Sequence, residues 1–273
     1  MKNRTRSKLP PKESNPAKNP KTRKNKTKQK LQAGEATLGA FIGMGCPEIA
    51  EIMAYVGFDW LVIDAEHGSL DLRTCLHHLQ AMNGSDATPI VRVAWNDPVL
   101  IKRVLDMGAQ GVLIPMINDR RSAELAVKAC KYPPQGIRGI GPMRPSHYYL
   151  EMNDYVKTAN DEIMVIIQIE HIEAVNNIDE IFKVEGIDCY FIGPQDLAAS
   201  MGLITQVTHP KVLQAIDRVL EASKKAGIAA GLYAISLDEV ESYIQQGYQM
   251  IAIGNDAGIL ATGARDLLKR FRK

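Results

Sequence analysis

The chain has 273 residues, 45% of them hydrophobic, enough for one large core or two small ones. Its apolar runs fall short of the roughly 20 residues that a membrane helix needs, and its charged N-terminus has no apolar stretch of the kind a secretion signal requires. The formal net charge of +2 hides an uneven distribution: residues 1–30 hold twelve Lys or Arg against one acid, Glu13, so the remainder of the chain is acidic.

Residues 1–30 read MKNRTRSKLPPKESNPAKNPKTRKNKTKQK, with Leu9 the only strongly apolar side chain. Such a segment buries too little surface to offset its ordering entropy, so disorder is expected to about residue 26. A solvated extension is the plainest reading of this tail. A basic arm on nucleic acid or anionic lipid, or a transit peptide, are the alternatives. From residue 31 onward, eight short, β-branched apolar runs follow one another, at 38–43, 60–64, 90–93, 112–115, 163–169, 189–192, 228–232 and 250–253. Near-continuous hydrophobicity is the mark of parallel strands buried on both faces. Between them lie segments of helical period, among them 46–55, 98–106, 121–129, 174–182 and 211–226, several followed by a glycine suited to a helix C-cap: Gly57, Gly108, Gly186, Gly227 and Gly247. The pattern predicts one (β/α)8 (TIM) barrel domain over 31–273 with a disordered basic tail over 1–30. A doubly wound open sheet competes, but the first turn, Phe41-Ile42-Gly43-Met44-Gly45-Cys46, has only a G-x-G. One connection, 117–162, holds a helix and then a long Pro- and Gly-rich loop, and loops of that length are usually functional. Cys46, Cys75, Cys130 and Cys189 form no C-x-x-C pair and sit among apolar residues, as reduced thiols of a cytoplasmic protein would.

Chemistry in such a barrel gathers at the C-terminal ends of its strands. The second run ends in Asp64-Ala65-Glu66-His67-Gly68, the third contains Arg92, the fifth ends in Gln168-Ile169-Glu170, and the sixth runs into Gly193-Pro194-Gln195-Asp196. Glu170 and Asp196 are hard oxygen donors suited to an octahedral divalent cation such as Mg2+, Mn2+ or Co2+. Arg92 can clamp a carboxylate, and His67 can move a proton near neutral pH. A cation, a carboxylate clamp and a base together point to enolate chemistry on a 2-oxo acid. Taken singly, each residue has a structural reading: a carboxylate at a strand end caps the next helix, Arg92 makes an ion pair, and His67 before Gly68 sits in a turn. His147 and His171 are structural or at the edge of the substrate, and the functional reading rests on convergence across four strands.

The stretches GFDWLVIDAEHG, PIVRVAWNDP, KYPPQGIRGIG, IIQIE and VEGIDCYFIGPQDLAASMG, with the less specific IAIGND, resemble the HpcH/HpaI aldolases in order and spacing from about Leu31 to the C-terminus. The resemblance implies a class II pyruvate aldolase on a metal-binding barrel, assembled as a homohexamer. It implies Glu170 and Asp196 as metal ligands, Gln168 as the residue holding a water at the metal, and Arg92 as the group binding the pyruvyl carboxylate and keto oxygen. It implies His67 as acid/base residue with Asp106 as its orienting partner, and the backbone of Gly193, Pro194 and Gln195 as the wall that receives the substrate carboxylate. Gln195 replaces the usual Ala or Ser, Tyr233 a common aliphatic residue, and Phe41 the Trp of some members. The loop Pro142 to Tyr149 departs from the usual small and polar residues, and it, Phe41 and Tyr233 are expected to face the aldehyde half of the substrate. The expected reaction is reversible cleavage of a 4-hydroxy-2-oxo acid, a 2-keto-3-deoxy sugar acid or a hydroxy-oxo-diacid, to pyruvate and an aldehyde. An acyl-CoA lyase of citrate-lyase β type, an oxaloacetate decarboxylase, and a nucleic-acid-associated protein using the tail are the rivals.

Overall fold

The computed structural model describes residues 24–272. The expectations of disorder and of nucleic-acid contact through residues 1–23 lie outside the described residues. In chain order the elements are α1 (Lys26–Gln32), β1 (Thr37–Ile42), α2 (Pro47–Val56), β2 (Trp60–Asp64), α3 (Leu72–Ala81), β3 (Thr88–Arg92), α4 (Pro98–Asp106), β4 (Gly111–Ile114), α5 (Arg120–Cys130) and α6 (Met152–Glu162). They continue with β5 (Met164–Ile169), α7 (Ile172–Asn176), α8 (Ile178–Ile181), β6 (Cys189–Ile192), α9 (Pro194–Ser200), α10 (Pro210–Ala226), β7 (Ala229–Tyr233), α11 (Val240–Gln246), β8 (Tyr248–Asn255) and α12 (Asp256–Lys269). All eight strands are parallel, and β8 pairs with β1 to close the barrel. None of the described helices is long and apolar enough to cross a membrane.

Alternation along each strand divides the core in two. Leu61 and Ile63 of β2, Val91 of β3, and Val165, Ile167 and Ile169 of β5 face outward and pack under the helices. Trp60 and Val62, Ile90, Met164 and Ile166, and Cys189 and Phe191 fill the barrel interior. Continuing the inward parity by one step reaches Asp64, Arg92, Gln168 and Gly193, and a second step on β5 reaches Glu170. The polar residues that end these strands therefore form the topmost layer of the same stack that the apolar residues fill below. Pairing sets their heights: Asp64 lies opposite Arg92, and Ile169 lies opposite Ile192. The indole of Trp60 occupies the space a side chain at residue 39 would need, since a Cβ on Gly39 would come within 2.1 Å of it.

The floor of the barrel differs from expectation. Residues 26–30 of the predicted disordered tail are helical and belong to the globule. Asn25 caps α1, its side chain accepting from the Lys28 amide at 3.0 Å and donating to the carbonyls of Gln110 (2.9 Å) and Glu162 (3.0 Å). Lys28 pairs with Asp188 at 2.9 Å and donates to the Ile163 carbonyl at 3.1 Å, while Lys24 and Lys30 pair with Glu162 and Asp59. Leu31 enters the interior core. These lysines read as solvated charge because their partners lie far away in sequence, at the strand starts. The segment 174–182, expected as one helix, breaks at Asn177, whose amide donates to the Asn118 carbonyl at 2.9 Å. The 117–162 connection holds a second helix, α6, beyond the one expected. The five glycines expected at helix ends, Gly57, Gly108, Gly186, Gly227 and Gly247, all have positive φ. Replacing Asn25 by Ala removes a cap and two long-range hydrogen bonds; the expected cost is about 2 kcal/mol, read as a fall of several degrees in Tm with the active-site chemistry intact.

Candidate active site

Arg92, at the end of β3, is buried and needs compensation for its charge. Its Nε donates to Asp64 Oδ1 at 2.9 Å and its Nη2 to Asp64 Oδ2 at 2.6 Å, a bidentate pair. Its Nη1 lies 3.1 Å from Glu66 Oε2, close enough for an ion pair but not aligned for a hydrogen bond. The ring of Phe41 lies under the guanidinium, 5.1 Å from its centre. The turn after β2 wraps round Asp64, which also accepts from the amides of Glu66 (3.1 Å) and His67 (3.2 Å). Gly68 allows the turn to close, since a Cβ there would meet the Asp64 carbonyl at 2.3 Å. Burial pushes the Asp64 carboxyl up, but the hydrogen bonds and charge of Arg92 and the two amides outweigh it and hold it below its usual range.

Across the mouth, Glu170 Oε1 accepts from the amide of Met116 at 2.9 Å, and Met116 takes a left-handed φ of 55°. Gln168 donates its side-chain N–H to Glu170 Oε2. Both side chains are buried. A Cβ on Gly193 would come within 2.9 Å of each of these two groups, so their packing requires glycine at the end of β6. Burial, reinforced by Glu66 and Asp196 and opposed by the Met116 amide and Arg92, raises Glu170 to about 7. Glu66 is raised to about 7 mainly by burial, with Asp64 and Asp196 adding to it and Arg92 opposing. Two buried acceptors, Glu66 Oε2 and Gln168 Oε1, have no hydrogen-bond donor. The mouth thus holds more oxygen acceptors and more negative charge than its donors and its single guanidinium satisfy. Asp196, on the first turn of α9, faces the same cavity.

That cavity, about 580 Å³, is lined by Arg92, His67, Gln168, Gly193, Pro194 and Gln195 among others, and by Phe41 and Tyr233 from the expected aldehyde side. The structure therefore brings together His67, Arg92, Gln168, Asp196 and the 193–195 turn, with Glu170 behind Gly193. It does not bring Asp106 to His67 within one chain. Asp106 is the last residue of α4, which runs from the mouth to the floor, and there it pairs with Arg138 at 2.8 Å. Arg138 is itself buried against the ring of Tyr132, 4.4 Å away. The 142–149 loop follows it to the floor, where Arg144 donates to the Met107 carbonyl at the C-terminal end of α4, so the loop does not face the chain's own cavity as expected. The imidazole of His67 is 65% exposed, and its nearest acid is Glu66 at 3.7 Å. Sequence reasoning gave Asp64 and Glu66 no role; their signal was parity, since Asp64 continues the inward series of Trp60 and Val62. Asp256 was missed too: it accepts from the amides of Gly43 and Met44 and fixes the β1 turn at the rim.

Parallel strands closed into a barrel, with ionisable groups gathered at one rim, define a barrel enzyme. The family model described as HpcH/HpaI aldolase/citrate lyase matches residues 37–262. A 4-hydroxy-2-oxo-heptane-1,7-dioate aldolase of Klebsiella pneumoniae is 41% identical over 248 residues, covering 90% of this chain and 94% of the relative. An HpcH/HpaI aldolase/citrate lyase family protein of Burkholderia cenocepacia superposes with a TM-score of 0.88 at 36% identity, over 91% of this chain and 100% of the other. An HpcH/HpaI aldolase of Desulfitobacterium hafniense gives 0.85 at 31% identity, over 90% and 96%. The chain belongs to the HpcH/HpaI aldolase/citrate lyase family. Its chemistry is that of a carbon–carbon lyase of the aldolase type.

The raised carboxyls make a pH prediction. Glu170 and Glu66 hold their protons more tightly when folded, about 7 against an ordinary 4.5. Between those values the folded chain binds more protons than the unfolded one, so their contribution to stability falls as pH rises. Metal-free protein should lose thermal stability from pH 5 to pH 7.5, and Glu170→Gln should flatten that slope; scanning calorimetry of the two proteins across this range decides it.

Proposed function

We propose that this protein is a divalent-metal-dependent pyruvate aldolase that reversibly cleaves a 4-hydroxy-2-oxo acid to pyruvate and an aldehyde. The observation that carries the reading is the unbalanced mouth of the barrel: buried oxygen acceptors and carboxylates lie beside one guanidinium already engaged by Asp64. The all-oxygen donor set fits Mg2+, Mn2+ or Co2+. Glu170 and Asp196 would hold the ion, with Gln168 Oε1 toward a water beside it. Two carboxylates would leave the other positions of an octahedral ion to water and substrate oxygens. When bound, the ion supplies positive charge that polarises the 2-oxo group and steadies an enolate.

The chain's own residues supply the rest. Asp64 occupies the Nε–Nη2 edge of the Arg92 fork and Glu66 lies against Nη1 without a hydrogen bond, so the second N–H of Nη2 and the N–H groups of Nη1 remain for the pyruvyl oxygens. The first turn of α9, Pro194 to Asp196, lines the cavity, and a helix N-terminus presents amide N–H groups suited to the substrate carboxylate. His67 takes the C4 hydroxyl proton as the C3–C4 bond breaks, and returns it in the reverse direction. The electron pair of that bond becomes the enolate of pyruvate, which Arg92 holds until it is protonated at C3.

His67 lacks a carboxylate partner inside its own chain, and Asp106 sits on the opposite face of the barrel. Asp106 therefore orients His67 only across a boundary between two copies. Exposed apolar side chains fit such assembly: Trp95 and Val99 beside the mouth, Ile140 and Leu150 on the floor loop, and Leu260 and Leu268 on α12. This supports the homohexamer that the resemblance implies.

Pyruvate release, followed with a coupled lactate dehydrogenase, should vanish on chelation and return with Mg2+, Mn2+ or Co2+. Full turnover after complete chelation would falsify the metal-dependent reading. Glu170→Gln and Asp196→Asn should each lower kcat/KM by at least ~100-fold. Mixing inactive His67→Ala and Asp106→Ala chains should restore activity in the hybrid oligomers, because some mouths then receive both intact residues. No recovery from well-mixed hybrids would remove Asp106 from the site.

A further inference from the structure

Asp106 stands where a helix disfavours an acid. It is the last residue of α4, at the negative end of the helix dipole. Its one hydrogen-bond donor among the described residues is the guanidinium of Arg138, whose Nη2 donates to Oδ1 at 2.8 Å. The other oxygen, Oδ2, accepts no hydrogen bond from the described residues, and the side chain is 23% exposed. The carboxylate is thus held by one oxygen and open at the other.

The group that holds it is buried and rigid. The side chain of Arg138 is shut off from solvent, although Ile137 before it and Ile140 just after it are exposed. The Arg138 amide donates to the Lys131 carbonyl at 2.9 Å. Its guanidinium lies 4.4 Å from the ring centre of Tyr132 and 5.8 Å from that of Tyr155. Tyr132 is fixed in turn, its amide donating to Asn160 Oδ1 at 2.7 Å and its carbonyl accepting from Asn160 Nδ2 at 3.1 Å. Besides Asp106, the guanidinium reaches only the Tyr155 hydroxyl, at 3.3 Å, and its Nε and Nη1 have no acceptor. Asp106 is therefore the single carboxylate that this buried charge neutralises.

Stability does not account for such a pair, because a well-packed apolar side chain of similar volume serves a buried slot at least as well. What the pair provides is an ionised carboxylate turned one way, with Oδ2 presented at the surface of the floor. An acid at a boundary between two copies loses water when the boundary closes. Without a counter-charge it would take up a proton or turn away toward solvent. The exposed Ile137 and Ile140 are placed to shield the pair from water once another copy packs there.

We propose that Arg138 is a positioning residue for the mouth of the neighbouring copy: it fixes Oδ1 of Asp106 so that Oδ2 meets the imidazole of His67 of the partner subunit. This rests on the aldolase reading and on the pairing of His67 with Asp106, and the test tells their failures apart. Each mouth then needs His67 from its own chain and Asp106 with Arg138 from the next. Turnover is measured on the metal-loaded oligomer as aldol addition of pyruvate to glyceraldehyde or succinic semialdehyde, whichever the unaltered protein uses faster. Arg138→Gln should lower kcat at least ~10-fold and leave KM for the aldehyde within about twofold. Mixed with His67→Ala chains, it should recover about a quarter of full turnover, because in random hybrids that share of mouths has His67 and faces a complete floor. Mixed with Asp106→Ala chains, it should recover nothing, since every floor then lacks one residue or the other. Native mass spectrometry confirms that hybrids form. If Arg138→Gln does not assemble, Arg138→Lys, which keeps the charge and loses the planar fork, takes its place in both mixtures. Recovery with Asp106→Ala puts the effect of Arg138 inside its own barrel and overturns the inference. Full turnover of the Arg138 variant alone, or no recovery with His67→Ala in assembled hybrids, overturns it as well. If His67→Ala and Asp106→Ala chains fail to restore each other, the pairing is lost and the role of Arg138 with it. An unaltered protein that adds pyruvate to neither aldehyde overturns the aldolase reading itself.

Discussion

A guanidinium almost out of water governs the mouth of this barrel. Arg92 is 9% exposed, and a bare charge at such depth would cost several kcal/mol. Asp64 meets it with two aligned hydrogen bonds, and the amides of Glu66 and His67 then close on Asp64 in turn. One ion pair therefore positions the β2 turn as far as the backbone of His67. With Glu66 added, the charges near Arg92 sum to an excess of acid, and Glu170 and Asp196 extend it. An enzyme tolerates such an imbalance when a ligand completes it, and the raised affinity of Glu66 and Glu170 for protons expresses the same unmet demand.

The direction of the helices sets the second constraint. In a (β/α)8 unit each helix returns from mouth to floor, so residues at opposite ends of one helix serve opposite faces of the molecule. Asp97 caps α4 beside the mouth while Asp106 ends it at the floor. One barrel thus carries its base on one face and the carboxylate proposed for that base on the other. On the proposed pairing of His67 with Asp106, assembly would be part of the chemistry.

Much of this was legible in the sequence. The runs at 60–64 and 189–192 coincide with β2 and β6, because strands buried on both faces leave an unbroken apolar signature bounded by polar residues. The rim residues could be named because a barrel concentrates chemistry where those runs stop. Three things were not legible. The lysines of α1 looked solvated, since nothing local announces a salt bridge to Asp188 or a hydrogen bond to the Ile163 carbonyl. Asp64 and Glu66 were passed over in favour of the neighbouring histidine, because their partner is set by register between strands. The 142–149 loop lies at the floor and not at the mouth of its own barrel, a placement composition does not record, since it shows that a loop is long but not which face it covers.

The anchoring of α1 has a consequence for how the molecule can be tethered. Lys24 and Asn25 are fastened to Glu162 at the floor, so the described chain begins on the side away from the mouth. An immobilising support or fused domain joined directly ahead of Lys24 would face the floor, and the entrance would stay turned toward the surrounding solution.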